Sequence, residues 1–238
     1  MATYVLVHGA YHGGWCWQRV TERLRAAGHA VHVLTHTGSG ERAHLLRPGL
    51  DISVYAQDLF GLVESEGLSG VILVGHSFGG MTLTAAAERN PAPFRHLVYF
   101  DALVPKSGEM PLRDRMPPEV YAERLKQARD VGGVPCFMPP RPGYFGVLDP
   151  ADAEWVKARL TPLAVSLMEC AVNLALPIGN GLPVTYVRCT APRMELMDVS
   201  ERRARELGWP VVELATGHDA MVSDPQGTTD ILLSLAGR

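Results

Sequence analysis

Gly75-His76-Ser77-Phe78-Gly79-Gly80 sets a serine among glycines where the apolar run Val71–Gly75 gives way to a helical pattern beginning at Met81. A G-x-S-x-G turn at a strand-to-helix junction lifts the serine Oγ above the sheet, and Cβ atoms at the flanking positions would clash in so sharp a turn. The following helix aims backbone N–H groups and the positive end of its dipole at a reacting carbonyl. The string also suits a plain Gly-rich turn, but its place at the end of a buried strand favours Ser77 as a nucleophile. Such a serine needs a base to take its proton. His218, in Ala215-Thr216-Gly217-His218-Asp219-Ala220-Met221 after the last strand-like run, is the best placed of the nine histidines. His8 closes the first run, and His29, His32 and His36 line the second and its exit. No H-E-x-x-H or comparable ligand spacing joins them, so no metal site is expected.

Charge that develops on the carbonyl oxygen needs two backbone donors. One is expected from the N–H of Phe78, the residue after the nucleophile. The other is expected from Ala10, in His8-Gly9-Ala10-Tyr11-His12-Gly13-Gly14-Trp15, where three glycines permit close backbone approach.

These residues require a sheet to hold them. Thr3–Val7, Val31–Thr35, Val71–Gly75 and Leu97–Phe100 are continuous apolar runs, the mark of strands buried on both faces. Trp17–Ala27, Ser53–Glu66 and Met81–Asn90 lie between them with helical spacing, and Pro91 and Pro93 stop the third. Such alternation predicts a parallel sheet with helices on both faces. After Val104 the pattern breaks: twelve of the eighteen prolines lie between Pro105 and Pro183, a density that central strands do not tolerate. The stretch 105–182 therefore reads as an inserted cap within a single domain spanning 1–238, with helical pieces at Glu119–Asp130 and Asp152–Leu160. Strands resume at Pro183–Cys189 and Val211–Leu214, with helices expected at Asp198–Leu207 and from Asp224 to Leu235. Tyr11 with Phe137, Tyr144, Phe145 and Trp155 of the cap would supply an apolar substrate pocket, although such groups also serve as core filling.

His8-Gly-Ala-Tyr-His-Gly-Gly-Trp-Cys-Trp17, Gly75-His-Ser-Phe-Gly-Gly80 and Gly217-His218 together resemble the α/β-hydrolase superfamily. The branch they look like contains plant methylesterases, hydroxynitrile lyases and related bacterial esterases. The likeness covers both halves of the sheet and leaves the cap without a matching signature. It implies an α/β-hydrolase fold with Ser77 as nucleophile, His218 as base, and Ala10 and Phe78 as oxyanion donors. The triad acid departs from the pattern. The family usually carries an aspartate just past the strand corresponding to Pro183–Cys189, where this chain reads Thr190-Ala191-Pro192-Arg193-Met194-Glu195. Asp101, at the end of Leu97–Phe100 and one strand over from the nucleophile, is the better candidate. Glu195 and the absence of a working acid remain alternatives.

Gly38-Ser39-Gly40-Glu41-Arg42-Ala43 matches a dinucleotide fingerprint but follows the second strand instead of the first, so no cofactor is expected. Its place in the resembled family is the border of the active-site mouth. A formal charge of −3 in 238 residues gives no footprint for nucleic acid and no polybasic membrane patch. No apolar run reaches the roughly 18–20 residues of a membrane span. Four scattered cysteines without a C-x-x-C pair suit reduced thiols. The expectation is a cytoplasmic, cofactor-free serine hydrolase cleaving a small to medium apolar or aromatic carboxylic ester. Hydrolysis of a lactone or C–C bond is the alternative. A hydroxynitrile lyase is disfavoured because Asp219 stands where the resembled lyases carry a lysine. An intact Ser77 and His218 disfavour a non-catalytic small-molecule receptor. A homodimer is compatible with the sequence, which fixes no oligomeric state.

Overall fold

The computed structural model describes residues 1–237. The chain opens with β1 (Thr3–Val7), a 3-10 turn over Gly14–Trp17, α1 (Gln18–Ala26) and β2 (Ala30–Leu34). Then come α2 (Ile52–Ser65), β3 (Val71–His76), α3 (Gly79–Arg89) and β4 (Phe94–Phe100). The Asp51 carboxylate caps α2 by accepting from the Ser53 and Val54 N–H groups, filling donors that the helix itself leaves open.

The stretch 105–182 holds α4 (Pro111–Asp114), α5 (Pro118–Lys126), β5 (Arg129–Val131), β6 (Val134–Phe137), α6 (Pro150–Lys157), β7 (Leu163–Ala164) and α7 (Val165–Met168). The chain then returns through β8 (Val184–Cys189), α8 (Asp198–Glu206), β9 (Val211–Leu214), α9 (Ala220–Ser223) and α10 (Pro225–Ser234).

The central sheet has six strands in the order β2-β1-β3-β4-β8-β9, and every pairing is parallel. This is the α/β-hydrolase fold. Its strands are apolar without interruption because alternate residues enter two separate cores. Tyr4, Leu6, Ile72, Val74 and Val98 face α1 and α10 through Val20, Leu24 and Leu232. Val5, Val7, Leu73, Leu97 and Tyr99 face α2 and α3 through Leu59, Phe60, Leu83 and Ala86.

Two sequence expectations are corrected. The helix expected over Glu119–Asp130 ends at Lys126, and the segment carries a small antiparallel sheet, β5-β6-β7, apart from the central one. Pro135 lies inside β6, yet β7 pairs only with Cys136 and Phe137, so the proline keeps one open side and is exposed. Among the described residues, no helix is long and apolar enough to cross a membrane, and the four cysteines are free and buried.

The inserted stretch is clamped to α8 by charge. Glu109 accepts from Arg203 and, at 3.0 Å, from Arg115 Nε, while both arginines also donate to the Val104 carbonyl. Partial burial raises the Glu109 pKa, but the Arg203 and Arg115 hydrogen bonds outweigh it and bring the group from 4.5 down to about 2. A carboxyl depressed in the folded state stabilises above its unfolded pKa and loses that contribution as pH falls through the folded value. Denaturant midpoints should therefore fall between pH 5 and pH 2.5 more steeply in the wild type than in Glu109→Gln; parallel curves would contradict the clamp.

Close packing also fixes the start of α3. A Cβ on Gly80 would collide with the Leu103 carbonyl oxygen and come within 3.0 Å of its N, both backbone atoms. Gly80→Ala should cost about 1–3 kcal/mol or more by overpacking. A urea midpoint equal to that of the wild type would show that β4's exit loop yields freely.

Candidate active site

The catalytic candidates gather at the C-terminal edge of the sheet, where open parallel sheets bind ligands. Backbone strain marks the same edge. Of the four non-glycine described residues with positive φ, three follow sheet strands: Tyr11 at 68° after β1, Ser77 at 54° after β3 and Asp101 at 41° after β4. Each is costly unless its surroundings enforce it. The Ser77 carbonyl accepts from the Gly80 and Leu103 N–H groups, and the Asp101 N–H donates to Val187 on β8 at 2.7 Å. Ser77 is half-buried at the start of α3. Gly9 of the β1 loop lies so close that a Cβ there would sit 2.7 Å from Ser77 Cβ.

His218 Nδ1 donates to Asp101 Oδ2 at 2.6 Å, with both side chains essentially free of solvent. That bond fixes the imidazole's orientation and leaves Nε2 as its basic nitrogen. Asp101 uses its other oxygen, Oδ1, to accept from Arg188 Nη1 at 2.6 Å and from the Cys189 N–H at 3.2 Å. Burial pushes the Asp101 pKa up, but His218 and the Arg188 guanidinium together hold it below the usual carboxylate value. Glu195, the alternative acid, sits exposed in a short 3-10 turn, Glu195–Met197. Asp198, also beyond β8, is bound to Arg188 and Arg193.

The β1 loop is held by two histidines in opposite protonation states. His8 Nδ1 donates to the Gly9 carbonyl at 2.7 Å, and its Nε2 accepts from the His36 N–H, so the ring is neutral. Burial accordingly lowers its pKa to about 4. The Gly9 carbonyl belongs to the same peptide as the Ala10 N–H, so this bond sets the plane of the expected oxyanion donor. His12 donates from both nitrogens, to the Ala10 carbonyl at 2.8 Å and to Asp219 Oδ2 at 2.9 Å, and is an imidazolium. Burial opposes its charge, yet the Asp219 carboxylate raises its pKa, and His12 in turn lowers that of Asp219. Asp219 therefore faces His12 as an ion pair in the position where the resembled lyases carry a lysine.

His76, the last residue of β3, donates Nε2–H to the His218 carbonyl at 3.0 Å, and its ring lies 4.4 Å from that of His218. Burial lowers its pKa to about 3. Donor atoms of His76, His218 and Asp219 lie within 4.8 Å of one another. His218 Nδ1, His76 Nε2 and Asp219 Oδ2 are taken up by hydrogen bonds to Asp101, the His218 carbonyl and His12, while His76 Nδ1 and Asp219 Oδ1 have no hydrogen-bond partner. Among the other histidines, His29 accepts from the Ala2 N–H and His36 stacks on Tyr55. The Gly38–Ala43 loop packs against the β1 loop, with Gly40 touching Gly13 and donating to Thr161 Oγ1.

The five aromatic pocket candidates part company. Phe145 is buried, its ring 6.4 Å from His218 and 5.0 Å from His12, and its carbonyl accepts from the Asp219 N–H. Gly146 follows it, and a Cβ on Gly217 would lie 2.7 Å from its Cα, so the inserted stretch rests directly on the loop carrying His218. Tyr11 lies beside Phe145 and accepts from Arg124 through its hydroxyl. Tyr144 is exposed and Phe137 is buried beneath Arg124; both border an open groove of about 1130 Å³ on the inserted stretch. Trp155 stands against Trp15 and between Arg19 and Arg159 instead of beside His218. Arg188, His12 and Asp219 were not expected in the site. Arg188 had a visible signal, a charge inside the otherwise apolar Val184–Cys189, and His12 lies within the β1-loop motif.

This geometry has relatives. An α/β-hydrolase family model matches residues 4–231. A carbendazim-hydrolysing esterase of Nocardioides sp. (strain SG-4G) is 36% identical over 99% of this chain and 100% of its own. Methylesterase 2 of Arabidopsis thaliana is 29% identical over 98% and 95%. Among solved structures, an extracellular α/β-hydrolase from a Paenibacillus species superimposes with a TM-score of 0.83 at 23% identity, covering 100% of both chains. The chain belongs to the α/β-hydrolase family, and the Nocardioides and Arabidopsis relatives, matched almost from end to end, are named esterases.

Proposed function

We propose that the protein is a cofactor-free serine esterase that hydrolyses a small to medium apolar or aromatic carboxylic ester through an acyl-enzyme. The observation that carries this reading is the 2.6 Å bond from His218 to the buried Asp101, set beside a strained Ser77 at the head of α3. His218 takes the Ser77 proton as Oγ attacks the carbonyl carbon, and Asp101 stabilises the imidazolium that results. The oxyanion is received by the Ala10 and Phe78 N–H groups, the first pre-set by His8. Protonated His218 then gives its proton to the departing alcohol. Water, deprotonated by the same imidazole, attacks the acyl-serine and releases the acid. Phe145 and Tyr11 supply the apolar wall next to the base. Carbendazim and simple methyl esters, suggested by the names of the relatives, are the substrates to try beside p-nitrophenyl acetate.

Ser77→Ala should lower kcat on p-nitrophenyl acetate by about 10³–10⁶ without unfolding the protein. Turnover equal to that of the wild type would overturn the nucleophile. Asp101→Asn should leave substrate binding intact and lower kcat by about 10³–10⁴, because an amide holds the imidazole in the wrong tautomer. Glu195→Gln, in contrast, should match the wild type. If Glu195→Gln loses activity and Asp101→Asn keeps it, the acid is misassigned.

A further inference from the structure

The Asp101 carboxylate ends β4, one strand away from the usual family position, and the space at the end of β8 is filled differently. There Arg188 points its guanidinium at Asp101 with no solvent exposure. Each of its nitrogens is engaged: Nη1 with Asp101 Oδ1 at 2.6 Å, Nη2 with Asp198 Oδ1 at 2.6 Å and the Met194 carbonyl at 2.9 Å, and Nε with Glu201 Oε2 at 3.2 Å. We propose that Arg188 is a positioning residue for the reaction, a buried counter-ion that orients Asp101 and, through it, sets the proton affinity of His218. The inference rests on Asp101 serving as the triad acid.

The physical case has two parts. A lone buried carboxylate with a free oxygen could rotate about its Cβ–Cγ bond or take up a proton. Arg188 and the Cys189 N–H occupy Oδ1, so Oδ2 stays aimed at His218. The guanidinium is itself fixed by α8, because Asp198 and Glu201 also bind Arg193, and Glu201 binds Arg205. A planar fork suits this better than an ammonium, which cannot meet three directions in one plane. The positive charge also draws on the Asp101 carboxylate and so weakens its hold on a charged imidazole. Arg188 thus exchanges some imidazolium stabilisation for orientation.

The sign of the effect follows. The groups facing His218 are Asp101 after β4, His76 at the end of β3, Asp219 on its own loop, His12 from the β1 loop and the Cys189 thiol of β8. Those facing Arg188 are Asp101, Asp198, Glu201 and the Tyr186 hydroxyl. Arg188→Met alters none of these groups chemically and removes one positive charge from the far side of Asp101. His218 should then hold its proton more tightly, and the acidic limb of kcat/KM should move to higher pH.

The test uses the full chain, p-nitrophenyl acetate and four proteins: wild type, Arg188→Met, Arg188→Lys and Asp101→Asn. Folding is checked by circular dichroism, and the downfield proton resonance of the His218 Nδ1–H is recorded. For folded Arg188→Met, kcat should fall about 10- to 100-fold from misorientation with KM little changed. Its acidic limb should rise by about half a unit to one unit, and the downfield resonance should shift or broaden. Arg188→Lys, which keeps the charge and loses the fork, should keep the limb near its wild-type place and recover part of kcat. A folded Arg188→Met with wild-type kcat and limb overturns the proposal, as does a fall in activity that only tracks the folded fraction. Should Arg188→Met not fold, Arg188→Lys decides alone. A kcat lowered several-fold with an unmoved limb and a shifted resonance supports the proposal, and wild-type kcat with an unshifted resonance overturns it. Asp101→Asn separates the two readings. If it retains activity, the acid assignment fails; if it is inactive while Arg188→Met is unaffected, only the role of Arg188 fails.

Discussion

A carboxylate with no solvent exposure is held ionised just past the end of β4, and the neighbouring elements are organised around that constraint. Asp101 is desolvated on every side, which alone would favour its neutral form. His218 on one oxygen, and Arg188 with the Cys189 N–H on the other, reverse that preference. The arrangement reaches outward through Arg188 to Asp198 and Glu201, so α8 helps to fix the geometry of an imidazole it does not touch. Buried ion pairs of this kind contribute little net stability, but losing one partner is costly because the other is left unpaired in low dielectric. The β4, β8 and α8 ends therefore function as one unit.

A second charged pair supports the other half of the site. His12 and Asp219 join the β1 loop, which carries the Ala10 N–H, to the residue directly after the base. The proposed oxyanion donor and the proposed base are thus positioned by the same contact, while His8 orients the Gly9–Ala10 peptide. The inserted stretch completes the enclosure through Phe145 and Gly146, which lie on His218 and Gly217. Its tie to the β1 loop, where the Thr161 N–H donates to the Tyr11 carbonyl, connects the loop bearing the donor to the wall of the pocket. Strain at Tyr11, Ser77 and Asp101 persists because these neighbours over-determine each backbone.

The sheet was legible in the sequence because strands covered on both faces leave an unmistakable apolar run, and the helices between them differ from expectation by one or two residues. Ser77 and the β1 loop were legible because a tight turn and a backbone donor demand glycine at fixed offsets. Asp101 could be singled out only by its place at a strand end, since an isolated carboxylate carries no local signature. Arg188, His12 and Asp219 act through partners 87 and 207 positions away in the chain, a distance over which spacing says nothing. The aromatic wall was half legible. Phe145 and Trp155 look alike as apolar residues in a proline-rich stretch, and only packing sends one to the base and the other to Arg19 and Arg159.

The central claim is that Ser77, His218 and Asp101 act together as one nucleophilic unit. It is tested most directly by treating the protein with a fluorophosphonate and mapping the adduct by mass spectrometry, alongside Asp101→Asn. The account predicts one adduct per chain, on Ser77, formed much more slowly in Asp101→Asn. An adduct elsewhere, no labelling of the folded wild type, or equal labelling rates in the two proteins would contradict it.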